Sequence, residues 1–256
     1  MSKLTAQDQF LDLSDYGRPF GRWLANSLKN TGFTPIDITL LFGFSGITAV
    51  YCIIENHLYW AAFFIILKSL IDAADGELAR VKNTPSYTGR YLDSVFDIIL
   101  NFLILSAICY VSNTTFWVTI MAFISIQLQG TLYNYYYVIL RHKSMGGDAT
   151  SKIFEYKAPK ALPGEKQKTV NIMFNIYKIV YGKFDTIIHH LDPNAYKVKT
   201  FPNWFMTVVS LYGLGFQLLL IAIMLPLGWK EFIVPFFIGY SLLIGILIPI
   251  RRNFIV

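Results

Sequence analysis

Two short stretches carry most of the structural information in this chain: Asp72-Ala-Ala-Asp75-Gly76-Glu-Leu-Ala79-Arg80 and, after eight further residues, Gly89-Arg-Tyr-Leu-Asp93-Ser-Val-Phe-Asp97. Each stretch has two aspartates and borders a long apolar run. Residues three or four positions apart share one face of a helix, so each stretch would present its two carboxylates together. Carboxylates this close repel one another unless cations neutralise them, and clustered oxygen ligands suit hard ions such as Mg²⁺ or Mn²⁺. The spacing therefore predicts a metal site between two helices.

The composition predicts an integral membrane protein. Of the 256 residues, 54% are hydrophobic and only 15% are charged, and several apolar runs are long enough to cross a bilayer. We expect an all-α protein with six transmembrane helices, which cover residues 36–54, 57–75, 91–111, 115–140, 204–225 and 231–250. Lys68 and Asp72 interrupt the second span. Cys52 and Cys109 lie in apolar segments, where buried thiols are favoured over a disulfide.

The segments outside these spans predict two helices on the membrane surface. Leu13–Lys29 mixes aromatic and aliphatic side chains with arginine and lysine, as an amphipathic helix at the lipid interface would. Apolar residues also recur at helical spacing over Val170–Leu191, within a polar insertion. We therefore expect one membrane domain over residues 1–256, whose parts are an interfacial segment 1–35, four spans within 36–140, the insertion 141–200, and two spans within 201–256.

The distribution of basic residues predicts the orientation in the membrane. The insertion 141–200 has eleven lysines and arginines against five acids, whereas three short connections on the other side have a single basic residue, Lys230. Basic residues concentrate on the cytoplasmic side, so both termini and the aspartate pocket should face the cytoplasm, the pocket as a polar cavity. The same bias explains the net charge of +6, and no nucleic-acid-binding motif accompanies it. Residues 1–35 lack a continuous apolar region, so no cleavable signal peptide is expected.

Glycine and arginine residues beside the aspartates predict a phosphate ligand. Gly76 and Gly89 leave the backbone bare, which lets a bulky ligand approach the helices closely. Arg80 is a permanent cation whose planar guanidinium matches phosphate oxygens. A pocket at one end of the bundle could take a soluble nucleotide from water and a lipid from the bilayer. These residues therefore predict a site for a phosphoanhydride.

The complete pattern, Asp72-x₂-Asp75-Gly76-x₂-Ala79-Arg80-x₈-Gly89-x₃-Asp93-x₃-Asp97, resembles the signature of the CDP-alcohol phosphotransferase family at every fixed position. The six predicted spans and the Thr34-Pro35 stretch before the first span are similar to that family too, whereas the insertion 141–200 is not part of its common core. The resemblance implies that a substituted phosphate moves from a CDP-linked donor to an alcohol, with release of CMP. One of the two substrates would be a lipid.

The resemblance also implies a role for each motif residue. Two divalent cations, Mg²⁺ or Mn²⁺, would be held by Asp72, Asp75, Asp93 and Asp97. Asp93 and Asp97 would be the catalytic residues, with Asp97 as the general base that takes the proton of the acceptor hydroxyl. The CDP-binding surface would consist of Asp75, Gly76, Ala79, Arg80 and Gly89. The family further implies a homodimer.

The direction of the reaction stays open in the sequence. With CDP-diacylglycerol as the donor, the acceptor is an inositol-type alcohol, serine or glycerol phosphate; with CDP-choline or CDP-ethanolamine, it is diacylglycerol. Glu77 and the run after Gly89 modestly favour the first direction. Arg141, His142 and Lys143 could bind a phosphorylated acceptor, but cytoplasmic anchoring is the favoured explanation. For the tyrosines of residues 133–137, an interfacial belt is favoured over a cage for choline.

A divalent-cation transporter is the non-enzymatic alternative. Its carboxylates should lie near the middle of the bilayer, whereas these cluster at one end of their predicted spans. Arg80 would also repel a cation on such a path. We therefore favour the transferase.

Overall fold

The computed structural model describes residues 4–145 and 155–255, and these residues form helices and turns without any β-strand. The helices are α1 (Arg18–Leu28), α2 (Pro35–Ile54), α3 (Leu58–Val81), α4 (Tyr87–Val111), α5 (Phe116–Met145), α6 (Gln167–Val180), α7 (Gly182–Leu191), α8 (Asn203–Ser210), α9 (Leu214–Met224), α10 (Lys230–Tyr240) and α11 (Ile244–Phe254). Short 3₁₀ turns cover Ala6–Asp8, Ala195–Lys197 and Ser241–Leu243. The predicted all-α class is confirmed.

The described residues contain four helical stretches that are long and apolar enough to cross a membrane: α2, α4, α5 and Lys230–Phe254, which joins α10 to α11. Helices α8 and α9 make a fifth if they are counted as one span with a bend of 47°. Helix α3 has 24 residues, enough for about 36 Å, but five charged side chains interrupt its apolar sequence. The chain is thus an all-helical membrane protein with four or five candidate spans, and the six predicted spans are not confirmed.

Helices α2, α3 and α4 end in the same way. Each is followed by an asparagine with positive φ, at Asn56 (58°), Asn83 (53°) and Asn113 (51°). Asparagine tolerates this left-handed conformation better than most residues, and it allows the next amide to satisfy a carbonyl at the helix end. After α3, for example, the Thr84 amide donates to the Ala79 carbonyl at 2.9 Å. The loop 82–86 then leads from the first aspartate pair to the second.

Helix α2 contacts both α3 and α4 and so supports the two helices that carry the aspartates. It begins at Pro35, one residue before the predicted first span. Thr34 caps it: the Thr34 Oγ1 accepts from the Asp37 amide at 3.3 Å, and the Asp37 carboxylate accepts from the Thr34 amide at 2.8 Å. Helix α1 packs against α3 on another side. A Cβ atom on Gly21 would lie 2.7 Å from the Ala73 carbonyl oxygen, so only glycine permits this close approach.

The two predicted surface segments are helical in the structure, with changed bounds. Leu13–Lys29 contains the shorter helix α1, and Val170–Leu191 contains two helices, α6 and α7, which meet at Tyr181–Gly182. Glycine is a poor residue for a helix interior, which accounts for the break. Helix α6 packs against α4, and α7 packs against α5. Residues 146–154 of the predicted insertion lie outside the described residues. Both cysteines, Cys52 and Cys109, are buried free thiols.

Candidate active site

A cavity of about 1500 Å³ opens where α3 leads into α4. Six of the residues predicted from the motif line it: Asp75, Gly76, Ala79, Arg80, Gly89 and Asp93. Thr39 of α2 and Tyr135 of α5 add to its wall, as do side chains of the insertion. Among the described residues, Asp72 and Asp97 do not belong to this lining. The structure thus brings both stretches of the motif to one cavity and places one aspartate of each pair behind its surface.

The register of α3 and α4 explains this arrangement. Helix α3 approaches the cavity through Asp72 and then Asp75, whereas α4 leaves it through Asp93 and then Asp97. One turn of helix separates the members of each pair, so Asp75 and Asp93 lie at the cavity while Asp72 and Asp97 lie one turn further from it.

Three of the aspartates are close enough to hold a metal ion together. Oxygen atoms of Asp72, Asp75 and Asp93 all lie within 4.8 Å of one another. Thr39 Oγ1 donates to Asp75 Oδ2 at 3.0 Å, which fixes that carboxylate. Asp93 Oδ1 is buried and has no hydrogen-bond partner among the described residues. A buried carboxylate oxygen without a donor is costly, so this donor set fits a hard divalent cation.

The fourth aspartate is bound by a lysine. Lys68 lies one turn before Asp72 on α3, and its side chain has 0% exposure. Its ammonium donates to Asp97 Oδ1 and lies 3.4 Å from Asp72 Oδ2. The Nζ atom is also 4.9 Å from the centroid of the Phe42 ring. Lysine is almost never fully buried unless it is paired, so the contacts with the Asp97 and Asp72 carboxylates make the burial of Lys68 possible.

Arg80 reaches the cavity from the last turn of α3. Its Nη2 atom lies 3.0 Å from Glu77 Oε1, and the Arg22 Nε of α1 lies 3.7 Å from the same oxygen. Glu77 is buried, so its carboxylate acts as a fixed anchor for Arg80 at the cavity wall. Pairing with Glu77 orients the guanidinium of Arg80 at the cavity wall.

The insertion caps the N-terminus of α4 with Glu165. The Glu165 carboxylate accepts from the Ser86 hydroxyl at 2.9 Å, the Tyr87 amide at 3.1 Å and the Thr88 amide at 2.7 Å. Burial opposes ionisation of Glu165, but the hydrogen bonds from Thr88, Ser86 and Tyr87 outweigh it and hold the pKa of this carboxyl below its usual range. Glu165 therefore satisfies amides at the start of the helix that carries Gly89, where a helix favours negative charge.

A second carboxylate of the insertion holds the next turn of α4. Glu155 accepts two hydrogen bonds from Arg90 Nη2, at 2.6 and 2.7 Å, and one from the Tyr91 hydroxyl at 2.6 Å. Asp185 of α7 also lines the cavity and accepts from the Tyr177 hydroxyl at 3.1 Å. Burial raises the pKa of Asp185 to about 6, and the nearby Glu155 carboxylate adds to this effect. The insertion is thus a wall of the cavity as well as a clamp on α4.

The sequence did not predict a role at the site for Lys68, Glu155, Glu165 or Asp185. A signal existed for Lys68, because a lysine within an apolar span and four residues before Asp72 calls for a partner inside the protein. The three acids gave no such signal, since each lies at least 64 residues from its partner on α4 or belongs to a separate helix of the insertion.

Two comparisons with known proteins indicate the family of this chain. The family model for CDP-alcohol phosphatidyltransferase matches residues 33–229, which contain all of the motif, α2 and the whole insertion 141–200. The chain is also similar to a CDP-diacylglycerol–serine O-phosphatidyltransferase of Saccharomyces cerevisiae, with 34% identity over 95 residues. That match covers 34% of this chain and 34% of the yeast protein, so the chain spans about one third of the length of this curated relative. From the motif, the cavity and the extent of the family match, the chain belongs to the CDP-alcohol phosphatidyltransferase family.

Proposed function

We propose that this protein is a phospholipid-synthesising transferase that moves the phosphatidyl group of CDP-diacylglycerol to the hydroxyl of a polar alcohol. The single observation that carries the proposal is the cavity, because both halves of the family motif line it. The similarity to a yeast protein named for CDP-diacylglycerol and serine supports this donor and makes serine a leading acceptor. Inositol-type alcohols and glycerol phosphate are the other acceptors to test.

In the proposed reaction, the acceptor oxygen forms a bond to the phosphorus that carries diacylglycerol. The bond from that phosphorus to the bridging oxygen breaks, and CMP leaves with the oxygen and its electron pair. The proton of the acceptor hydroxyl passes to Asp97, the proposed general base, because a free hydroxyl is too weak an acid to ionise at neutral pH. Asp93 is the second proposed catalytic residue and lies one turn nearer the cavity.

The CDP-linked donor would bind along the cavity wall formed by the end of α3 and the start of α4. Arg80 is proposed to contact a phosphate of the CDP group, supported by its fixed position beside Glu77. Gly76 and Gly89 would let the nucleotide approach the backbone; a Cβ atom on Gly76 would meet nothing closer than the Arg80 guanidinium, at 3.6 Å, so the space beside it is open. Asp75 and Ala79 complete the proposed CDP surface.

Two divalent cations, Mg²⁺ or Mn²⁺, are proposed as cofactors. The residues that would hold them are Asp72, Asp75, Asp93 and Asp97, of which the first three form the close group of carboxylates. Bound cations would neutralise the diphosphate and stabilise the charge that develops on departing CMP. The chain's own contribution is to keep four carboxylates together, with Thr39 and Lys68 as their hydrogen-bond donors.

The proposed membrane arrangement is supported by the distribution of basic residues and by the family resemblance. We infer six transmembrane helices, with α3 as the second and the bent α8–α9 pair as the fifth. The distribution of basic residues supports a cytoplasmic cavity and cytoplasmic termini. Helices α1 and α6–α7 would lie on the cytoplasmic surface, and the whole chain would form one membrane domain. A homodimer is proposed from the family resemblance alone.

Release of CMP by purified protein tests the proposal. The assay supplies Mg²⁺ or Mn²⁺ and compares CDP-diacylglycerol with serine, inositol phosphate or glycerol phosphate against CDP-choline or CDP-ethanolamine with diacylglycerol. We expect release with CDP-diacylglycerol and one polar alcohol, and none from Asp97→Asn. Glu231→Gln, an exposed carboxylate at the start of α10, is the matched control and should behave as the wild type.

The alternatives give different results in the same assay. Release only with CDP-choline or CDP-ethanolamine and diacylglycerol would reverse the proposed direction. The transporter alternative predicts a different result. Flux of divalent cations into proteoliposomes, without CMP release from any substrate pair and without CDP binding, would support the transporter and contradict the enzyme.

A further inference from the structure

Lys68 lies outside the family signature, and the steps of the proposed reaction do not require it. The lysine nevertheless contacts the aspartate cluster, since it bonds to Asp97 and approaches Asp72 from a fully buried position. It joins α3 to α4 at a level one turn behind the close group of three carboxylates.

We propose that Lys68 is a positioning residue and an internal counter-ion, which makes cation binding at Asp97 and Asp72 weaker than binding at the group formed by Asp72, Asp75 and Asp93. This inference rests on the proposed metal-dependent function. The ammonium already bonds to Asp97 Oδ1 and lies 3.4 Å from Asp72 Oδ2. A divalent cation at the same oxygens must displace the ammonium or lie beside it, and like charges at such distances repel strongly in a buried site.

The contacts of the lysine also orient the proposed base. Because Lys68 holds Oδ1 of Asp97, the other oxygen of that carboxylate stays available to an acceptor hydroxyl. The Phe42 ring, 4.9 Å from the Lys68 Nζ, favours the cation at this position. The same positive charge reduces the repulsion among the four aspartates before any cation binds.

The arrangement therefore predicts two classes of cation site. The close group of three carboxylates has a buried oxygen of Asp93 that no described residue satisfies, and Thr39 donates a hydrogen bond to Asp75 of the same group. A first cation there leaves the ion pair between Lys68 and Asp97 in place. A second cation competes with Lys68. Removal of the lysine should tighten the second site, which is the opposite of what a lysine that only supports the fold would do.

Titration of Mn²⁺ into the purified full chain tests this, with free Mn²⁺ followed by electron paramagnetic resonance. We expect one tight and one weaker site in the wild type. Lys68→Met should bind the weaker Mn²⁺ about tenfold more tightly, because one repulsive charge is gone. Its Tm without metal should fall, and saturating Mn²⁺ should raise that Tm by more than in the wild type. Its kcat should fall while the KM for the donor changes little, since Asp97 loses its orientation.

Three further variants separate charge from packing. Lys68→Arg keeps the charge and should keep the weaker Mn²⁺ affinity within about threefold of the wild type. Lys178→Met removes an exposed lysine of α6 and should change neither affinity nor Tm. The double variant Lys68→Met, Asp97→Asn removes both partners, so its Tm without metal should recover relative to Lys68→Met and the tightening should disappear.

The possible failures are distinct. Folded Lys68→Met with unchanged or weaker Mn²⁺ binding would overturn the role of Lys68 while leaving the metal site intact. If Lys68→Met does not fold, the double variant should still fold, and failure of both would overturn the counter-ion role. A wild type that binds no Mn²⁺ would reject the metal site of the proposed function, and this inference with it.

Discussion

The protein has two clusters of buried charged side chains, one around Lys68 and one around Asp192. They differ in how completely the protein itself pairs the buried carboxylates. Asp192 follows α7 and has 0% exposure; its Oδ2 accepts from Arg251 Nε at 2.6 Å and from the Tyr136 hydroxyl at 2.8 Å, while its Oδ1 accepts from Arg251 Nη2. One acid is thus fully satisfied, and it joins the insertion to α5 and α11. In the aspartate cluster, one buried ammonium, that of Lys68, pairs with only two of the four carboxylates, Asp72 and Asp97.

The difference between the clusters separates structure from function. Buried polar groups are normally satisfied, so a carboxylate with all its hydrogen bonds made inside the protein has a structural role that needs no ligand. In the aspartate cluster, Asp93 Oδ1 is buried without a partner among the described residues. Such an excess of acid indicates a place where a bound cation supplies the missing charge. Variants of both clusters can test this distinction.

The largest effect is expected from the proposed base. Asp97→Asn should lower turnover by about 100- to 10,000-fold, the usual contribution of general acid–base catalysis, while part of the affinity for the CDP donor remains. Asp93→Asn should lower Mn²⁺ binding and turnover together. Steady-state kinetics and donor titration measure both. Equal and complete loss of donor binding in the two variants would contradict the separate role of Asp97.

The balanced cluster should affect stability instead. Asp192→Asn leaves Arg251 buried without a counter-charge and should lower the free energy of unfolding by about 3 kcal/mol. Turnover per folded molecule and Mn²⁺ affinity should not change. Denaturation followed by protease susceptibility measures the first quantity, and Glu231→Gln is the control. A loss of Mn²⁺ binding in Asp192→Asn would break the distinction between the clusters.

Two arginines of similar chemistry sharpen the comparison. Arg80→Ala should weaken binding of the CDP donor by about 10- to 100-fold, the usual range for a hydrogen bond to a charged group. Arg252→Ala, near the balanced cluster, should leave donor binding unchanged; Arg252 Nε lies 3.8 Å from Asp192 Oδ1. Binding can be followed by titration with a soluble CDP analogue. Equal losses of donor affinity in Arg80→Ala and Arg252→Ala would mean that Arg80 serves only as an interfacial anchor.

A methyl group at Gly76 tests the open space of the cavity. Gly76→Ala should stabilise α3 slightly, because its Cβ meets no atom closer than 3.6 Å and alanine favours helices by about 1 kcal/mol. Donor binding should nevertheless weaken by about tenfold, since the methyl group occupies space that the ligand uses. Thermal unfolding and donor titration should therefore move in opposite directions. Unchanged donor binding would show that the nucleotide lies elsewhere in the cavity.

The smallest effect is expected at Glu165, a second fully satisfied carboxylate. Glu165→Gln should lower the free energy of unfolding by about 1 kcal/mol at pH 7, as loss of a helix cap does. The pKa of this carboxyl is below its ordinary value of 4.5, so its contribution is present above about that pH and is lost as the pH falls through the lower folded value. The stability difference between wild type and variant should therefore disappear in acid. If the stability difference persists in acid, the cap depends on the shape and hydrogen bonds of the Glu165 side chain and not on its charge.

The sequence was sufficient for the features that local pattern determines. The all-α class, the start of α2 at Pro35 and the meeting of the two aspartate stretches at one cavity follow from hydropathy, capping and helical spacing. The motif residues were predictable because their spacing within each helix fixes which of them share a face.

Features that depend on distant contacts could not be read in the same way. Glu155 and Glu165 contact α4 across 64 to 79 residues of sequence, and no periodicity reports such a pairing. Hydropathy identifies Lys68 only as an interruption of a span, because it counts the charge but does not reveal the partner of that charge. The two helix breaks, between α6 and α7 and between α8 and α9, lie at Gly182 and Gly213. These glycines are a local sign of a break, but the apolar pattern continues across each of them and predicts a single helix.

The cap that Glu165 provides has a consequence for synthesis of the chain. Its carboxylate bonds to the Tyr87 amide 78 residues earlier, so the helix that carries Asp93 and Asp97 leaves the ribosome well before its cap is made. At about 5 to 20 residues per second, this interval is roughly 4 to 16 seconds. During that time the start of α4 must be satisfied by water or lipid headgroups, and the active-site wall closes only when the insertion has emerged.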